Sequence, residues 1–224
     1  MSIVDIIVLI VVFFLTSVVG VVTGSNSLIA VPVMFQFGIE PRVAIATNMF
    51  ALVFMSVGGT IPFLRRGAID VKKISPFIVL TVVSSAIGAM IVGLLSSGGL
   101  RLIVSVSMIV VALFTLLRRR AGVEELEAGK YSTAITYAVT FGLGIYGGLF
   151  SGGYVTLLTA AYVGIYGMKY REAVGSTKLI NVFSSTVATA VFMWQGLVDY
   201  KLGLILGAAM FAGAYVGAHY ATKL

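Results

Sequence analysis

The sequence contains little of the chemistry on which soluble enzymes depend. It has no cysteine, one histidine and only eight acidic residues in a chain of 224. The absence of cysteine excludes disulfides, thiolate metal sites and thiol catalysis. Charged residues make up only 10% of the chain, whereas hydrophobic residues make up 59% and the mean hydropathy is +1.10. This composition excludes a soluble globular protein.

Charge is absent from the whole segment between Tyr131 and Met168, which is longer than any soluble core helix requires. We therefore predict an all-α polytopic membrane protein in the lipid bilayer. The net charge of +7 arises largely in short loops, where basic residues orient helices in a membrane, so nucleic acid is not expected as a partner. The apolar N-terminus lacks a basic leader and is interpreted as a retained first helix.

Two of the apolar segments are too long to be single membrane helices. The apolar segments cover residues 3–38, 43–64, 74–95, 102–117, 131–167, 173–194 and 202–222. The first would span roughly 54 Å at 1.5 Å per residue, against a hydrocarbon core of about 30 Å. Breaks are visible at Gly24-Ser25-Asn26-Ser27 and at Ser151-Gly152-Gly153, residues that allow a helix to end and turn. We predict about seven full-length spans plus two short segments, with a broken or short helix pair in each half.

The loop charges favour one arrangement of these segments. If the chain crosses twice in each long segment, nine segments result, and the lysines and arginines are concentrated on one side more strongly than in a seven-span arrangement. The positive-inside rule then places the N-terminus outside and the C-terminus inside.

The two halves of the sequence repeat. GAIDVK at 67–72 matches GLVDYK at 196–201, and IGA at 87–89 matches VGA at 216–218. We interpret residues 1–97 as a first repeat, 98–130 as a linker helix with a basic cytoplasmic loop, and 131–224 as a second repeat. In the nine-segment arrangement equivalent helices have opposite orientations, and such an inverted internal repeat is typical of secondary transporters.

The breaks are the strongest candidates for a binding site. The free N–H groups and the positive dipole end of a helix N-terminus favour an anion. Small residues also permit close helix packing, which is the favoured role for Gly20, Gly24, Gly144 and Gly148. The candidate substrate-binding residues are Gly24, Ser25, Asn26, Thr47, Asn48, Ser151, Gly152, Gly153, Thr177, Lys178 and Asn181. No catalytic residue, metal or cofactor is predicted.

Lys178 is the only lysine or arginine inside an apolar segment. A charge within the membrane is a functional hypothesis by default, although a lysine can also extend its amine to the interface. One cation among hydroxyls and amides suits a small oxyanion. Asp70 and Asp199 are predicted to cap helices or to form ion pairs in loops, and no buried acidic relay for protons or sodium is evident. His219, Trp194 and Tyr200 are interpreted as interfacial residues.

Several runs resemble the TauE/SafE-like sulfite exporters, also called the toluene-sulfonate uptake permease family. The runs are GSNSLIAVP, GIEPRVAIATN, SGGYVTLL, REAVGSTKLINVFSS and GLVDYKLGLILGAAMFAGAYVGAH, and the similarity extends through nearly the whole chain. The resemblance implies an integral membrane transporter of sulfite, sulfonates or related small sulfur-containing anions, in the inner membrane of a prokaryotic cell. The positions that match the family signature are Gly24 to Pro32, Thr47, Ser151 to Gly153, Thr177, Lys178 and Asn181.

The resemblance also carries two departures. The first break is Gly-Ser-Asn-Ser where family members are often richer in glycine, which bears on anion selectivity. Many members continue beyond the position of Thr222-Lys223-Leu224 into one more helix. The alternatives are that this member is naturally short, that the sequence is truncated, or that a neighbouring subunit supplies the missing packing. A homodimer is one hypothesis.

The main functional hypothesis is alternating access between the two repeats. The alternatives are an anion channel or pore, a non-transporting membrane partner, and an intramembrane serine protease that pairs Ser151 with His219. The compact G-x-S-G pattern that such a protease would carry is absent around Ser151. The sequence also lacks the ATP-binding pattern G-x-x-x-x-G-K-[ST]. The anion, the direction of transport and the coupling ion stay open.

Overall fold

The computed structural model describes residues 1–24, 26–65, 69–117 and 132–221. Over these ranges the chain forms nine α-helices and no strand. The helices are α1 (Ile3–Thr23), α2 (Ser27–Gln36), α3 (Pro41–Arg65), α4 (Val71–Leu94), α5 (Ser97–Leu117), α6 (Ser132–Leu149), α7 (Tyr154–Gly164), α8 (Tyr170–Trp194) and α9 (Tyr200–Ala221). The all-α prediction is confirmed for the described residues.

Within the described ranges, five helices, α1, α3, α4, α5 and α9, are long and apolar enough to cross a membrane. The longer of the remaining helices, α6 and α8, contain 18 and 25 residues but are less apolar than these five. The short helices α2 and α7 have ten and eleven residues, about 15 Å each and half the hydrocarbon thickness. Each predicted break thus separates a longer helix from a short one.

The helix termini follow from local chemistry. α1 ends at Gly24 with φ +75°, and α7 begins after Gly153 with φ +76°, a backbone region that favours glycine. The Asp70 carboxylate accepts a hydrogen bond from the Lys73 N–H at 3.1 Å. Asp199 accepts one from the Leu202 N–H at 3.0 Å. The predicted capping roles of both aspartates, at the starts of α4 and α9, are confirmed.

Three helices, α1, α3 and α9, run in the same direction and form what we call the first block. Gly203 of α9 faces Phe50 of α3, and one turn further along both helices Gly207 faces Phe54. Gly217 of α9 faces Val18 of α1 in the same parallel sense, one turn after Gly213 meets Phe14. Helix α9 therefore packs between α1 and α3.

Helices α4, α6 and α8 form a second, equally parallel block. Lys73 of α4 pairs with Glu172 of α8, and further along the Ser85 and Ser184 hydroxyls lie 2.7 Å apart. Helix α4 also packs along α6. The Arg42 guanidinium at the start of α3 donates hydrogen bonds to the carbonyl of Leu95 at the end of α4. The two blocks are therefore antiparallel, and they meet where α3 packs against α8.

Each short helix turns back along the helix before it. The Asn26 amide donates to Ser17 at 2.7 Å and to Thr16 at 3.2 Å. The Thr140 hydroxyl of α6 lies 3.4 Å from Tyr162 of α7, while Gly147 faces the Tyr154 ring. The chain therefore reverses direction at both breaks.

Glycines bring parallel helices into very close contact. A Cβ atom on Gly88 of α4 would lie 2.0 Å from the Ile145 carbonyl oxygen of α6, and one on Gly217 of α9 would lie 2.1 Å from the Val18 carbonyl oxygen of α1. These two glycines occupy matching positions in the repeated IGA and VGA sequences. Gly144 and Gly148 pack against Ser84 and Ser85, in agreement with the packing role predicted for them.

Candidate functional site

The two breaks enclose a small cavity between α3 and α8, about halfway along α3. Its volume is about 20 Å³, enough for about one water molecule. Both blocks and both short-helix termini contribute to its walls. The lining residues are Gly20, Gly24, Asn26, Ser27, Leu52, Met55, Ser151, Val155, Lys178 and Asn181.

A pair of serine hydroxyls joins the two breaks directly. The oxygens of Ser27 and Ser151 lie 2.8 Å apart, although the residues are far apart in the sequence. The Asn48 side chain of α3 donates a further hydrogen bond to the Ser27 hydroxyl at 2.9 Å. The first residue of α2 and the turn that precedes α7 therefore meet at one point.

Lys178 reaches this cavity from α8. Its side chain is only 3% exposed, so the amine does not extend to the surface in the way that a snorkelling lysine does. The described part of the chain offers it no hydrogen bond and no ion pair, and the cavity lining there contains no carboxylate. A buried cation without a counter-charge is unfavourable. An anion in the cavity would supply the missing charge.

Two amides complete the polar wall. Asn181, three residues after Lys178 on the same face of α8, donates to the Ser56 hydroxyl of α3 at 2.6 Å. The Asn26 amide nitrogen is held by Ser17 and Thr16 of α1, and its buried carbonyl oxygen has no hydrogen-bond partner among the residues that the structure describes. Such an unpartnered acceptor is costly when buried. The wall therefore offers one cation, several hydroxyls and an acceptor.

The other candidate residues lie near the cavity but make different contacts. Thr47 accepts a hydrogen bond from the Asp199 N–H at the start of α9. Thr177 pairs with Thr159 of α7 at 3.0 Å. Gly152 is packed against the Phe150 ring, and Gly153 faces Val111 of α5. Ser25 lies outside the described residues.

Ser27 belongs to the predicted first break, so the sequence had already singled it out. Ser56, which holds Asn181 at the site, was not among the sequence candidates. Ser56 lies in the interior of α3 and becomes recognisable only through its contact with Asn181. A serine within a long helix carries no sequence signal that separates a binding partner from a packing residue.

The remaining predicted interfacial residues lie at helix ends. Trp194 ends α8 and is 82% exposed, and Tyr200 begins α9 and is also exposed. The His219 ring, in the last turn of α9, lies beside the rings of Tyr215 and Tyr220. These positions agree with the anchoring roles expected from the sequence.

The long apolar helices define an integral membrane protein with a buried polar cavity. Comparison with known proteins gives the family: residues 9–224 match the model of the sulfite exporter TauE/SafE family. The chain belongs to this family.

Curated relatives agree with the assignment. The chain is 27% identical over 208 residues to the probable membrane transporter protein ORF9 of Sinorhizobium sp, covering 93% of this chain and 80% of the relative. It is 27% identical over 210 residues to the probable membrane transporter protein YfcA of Escherichia coli K12, with coverages of 92% and 78%. It is 23% identical over 220 residues to the probable membrane transporter protein YdhB of Bacillus subtilis, with coverages of 95% and 89%. No solved structure gives a significant match.

Proposed function

We propose that this membrane transporter carries small sulfur-containing oxyanions such as sulfite or a sulfonate. The observation that supports the proposal is Lys178, a buried lysine without a counter-charge in the described residues, at the wall of a cavity that both breaks enclose. The hydroxyls of Ser27 and Ser151 and the amide of Asn181 would donate to the anion oxygens. The family description adds support for sulfite as the first anion to test.

The proposed mechanism uses an inverted repeat. In the proposed repeat, the helices α1, α2, α3 and α4 correspond in order to α6, α7, α8 and α9. The contact of α1 with α9 then corresponds to the contact of α6 with α4. The contact of α3 with α9 corresponds in the same way to that of α8 with α4. Equivalent helices belong to opposite, antiparallel blocks. Both observations support two structurally similar halves of opposite orientation, the arrangement from which transporters build two alternative openings.

Alternating access would require the two blocks to move. A cavity of about 20 Å³ accommodates about one water molecule, whereas sulfite has four non-hydrogen atoms. The lining must therefore open before the anion enters. Since each block contains helices from both repeats, we propose that the blocks, rather than the repeats, are the bodies that move, and that they move along the contact between α3 and α8.

Flux measurements in liposomes test the proposal. We expect the wild type to transport sulfite with saturable kinetics, and Lys178→Gln to lower the flux about 100-fold, because removal of a buried charge partner costs 2–5 kcal/mol. Lys201→Gln is the matched control, since Lys201 is exposed in the first turn of α9. Normal sulfite flux in Lys178→Gln would exclude the proposed site, and no flux in the wild type would exclude sulfite as the substrate.

The same liposomes distinguish the alternatives. A carrier shows counterflow, in which unlabelled anion inside accelerates uptake of labelled anion, whereas an anion channel does not. The protease alternative pairs Ser151 with His219, but the Ser151 hydroxyl pairs with Ser27. Labelling of Ser151 by a fluorophosphonate, lost in His219→Ala, would support that alternative.

A further inference from the structure

A second cavity lies at the end of the molecule where α3 begins and where α4 and α8 end. The N-terminus of α8 is at the other end. Its volume is about 330 Å³, far larger than that of the central cavity. It is separate from the proposed transport site and shares no lining residue with it. The lining residues are Arg42, Met90, Gly93, Leu94, Trp194, Gln195 and Leu197.

One wall of this cavity is cationic and polar. Arg42 uses Nε and Nη2 to donate to the Leu95 carbonyl at 2.9 and 2.6 Å. These bonds fix the guanidinium against the end of α4, and in the described part of the chain the hydrogens of Nη1 are left for another acceptor. The Gln195 side-chain oxygen is buried and has no hydrogen-bond donor in the described residues. This wall therefore offers a positive charge to an anion and an acceptor to a hydrogen-bond donor.

The other lining residues are mostly apolar, and several of them belong to the exposed outer surface of the bundle. Leu94 is 85% exposed, and Met90 and Trp194 are also exposed. Met90 and Leu94 continue a stripe of exposed apolar side chains along α4 that includes Val79, Val83 and Ile87. In a helix that crosses a membrane, such a stripe faces acyl chains. Trp194 lies at a helix end, where tryptophan occupies the headgroup region of a bilayer.

We propose that this cavity binds a phospholipid whose headgroup carries a hydrogen-bond donor, such as phosphatidylethanolamine or phosphatidylglycerol. The phosphodiester accepts from Arg42, and the headgroup ammonium or hydroxyl donates to the Gln195 oxygen. One acyl chain lies along Met90 and Leu94 on the face of α4. Because the cavity is bounded by α3, α4 and α8, the bound lipid touches both blocks at one end of the molecule.

Native mass spectrometry of the delipidated protein, after addition of defined phospholipids in mixed micelles, tests the proposal. We expect the wild type to retain one phosphatidylethanolamine or phosphatidylglycerol, and to retain phosphatidylcholine, which has no headgroup donor, more weakly. Arg42→Gln should weaken retention about five- to tenfold, as expected for the loss of one cation near the membrane surface. Arg101→Gln is the matched control, because Arg101 is exposed in the neighbouring helix α5 and does not line the cavity.

A second variant guards against a folding defect in Arg42→Gln, whose side chain also supports Leu95. Met90→Trp fills the cavity from the lipid side and leaves every Arg42 hydrogen bond in place, and it should reduce lipid retention to a similar degree. Equal retention by the wild type and both variants would overturn the proposal. The proposal would also be overturned if soluble glycerophosphoethanolamine competed as well as the intact phospholipid, which would indicate a site for a free phosphodiester. A dimer in the native spectrum that Met90→Trp abolishes would overturn it too, because the cavity would then belong to an interface with a second copy of the chain.

Discussion

Ser27 connects three elements through a single hydroxyl. It pairs with Ser151 before α7 and accepts from Asn48 of α3. In Ser27→Ala the Asn48 amide would lose its hydrogen-bond acceptor in a buried position, which costs about 1–3 kcal/mol. We therefore expect a lower thermal unfolding temperature in detergent, measured beside Ser105→Ala, which alters an exposed serine of α5. Equal unfolding temperatures for all three proteins would show that the Ser27 contacts contribute little to stability.

Asn181 permits a test of charge compensation at Lys178. Both residues line the cavity and lie three positions apart on α8. Asn181→Asp would supply a carboxylate to the lysine and compete with the substrate anion, so we expect the sulfite KM to rise about tenfold or more. Asn181→Ala removes the amide without adding a charge and should raise KM less. A KM in Asn181→Asp equal to that of Asn181→Ala would argue against an anion site at Lys178.

At the scale of single residues, the sequence predicted part of the cavity lining. The predicted residues that line the cavity are Lys178, Asn181, Gly24, Asn26 and Ser151. They were predictable because a charge or a break within an apolar segment can be recognised from the sequence alone. The contacts of Thr47 with α9 and of Gly153 with α5 depend on which helices become neighbours. No local pattern carries that information, so the sequence could not separate these residues from the lining.

The paired glycine contacts determine how closely the helices of each block approach. Gly148 of α6 lies against α4 so tightly that an added Cβ would be 2.1 Å from the Ser85 carbonyl oxygen. Backbone atoms cannot move aside as a flexible side chain can, so the helices would have to separate. Glycine therefore lowers the intrinsic stability of the helix at these positions, but it allows the backbones of the two helices to come into contact.

A pair of variants on one helix measures this effect. Gly148→Ala should lower the free energy of unfolding by about 1–3 kcal/mol, as other overpacked positions do. Gly142→Ala, where an added Cβ meets no atom of the described residues within 4 Å, should be neutral or stabilising because alanine favours the helix. The measurement is reversible unfolding in mixed micelles. Equal effects of the two substitutions would contradict the importance of the contact between α4 and α6.

The breaks themselves were predictable from length and composition. A segment longer than the membrane is thick must turn, and Gly24 and Gly153 adopt the backbone conformation that such turns use. The pairing of α9 with α1 and of α4 with α6 was not predictable. Glycine-rich faces occur on several helices, and their partners are determined by the assembled bundle rather than by any one helix.

For the whole molecule, the contact between α3 and α8 is the seam between the two blocks. Ser56 and Asn181 meet across it. Because the chain has no native cysteine, a Ser56→Cys/Asn181→Cys protein can be bridged selectively with dibromobimane, whose thioether bonds resist sulfite. We expect the bridge to stop most of the sulfite flux that remains in the unbridged double variant, since relative movement of the blocks is prevented.

A bridge within one block is the appropriate control. Ser85 and Ser184 also have hydroxyls in contact, at 2.7 Å, but they join α4 and α8 of the second block. Bridging Ser85→Cys/Ser184→Cys should leave flux close to that of its unbridged form. Equal inhibition by both bridges, or by neither, would rule out movement of the two blocks as rigid bodies.

The interleaving of the blocks also has a consequence for biosynthesis. A ribosome delivers α1 to α4 first, yet α1 and α3 obtain their contacts with α9, and α4 obtains its contacts with α6 and α8, only after those later helices are made. Until then the faces around Gly58 and Gly88 are in contact with lipid or with insertion factors. A nascent chain that stops before α9 therefore exposes unpaired small-residue faces within the bilayer, where membrane proteases and chaperones can distinguish it from the finished protein.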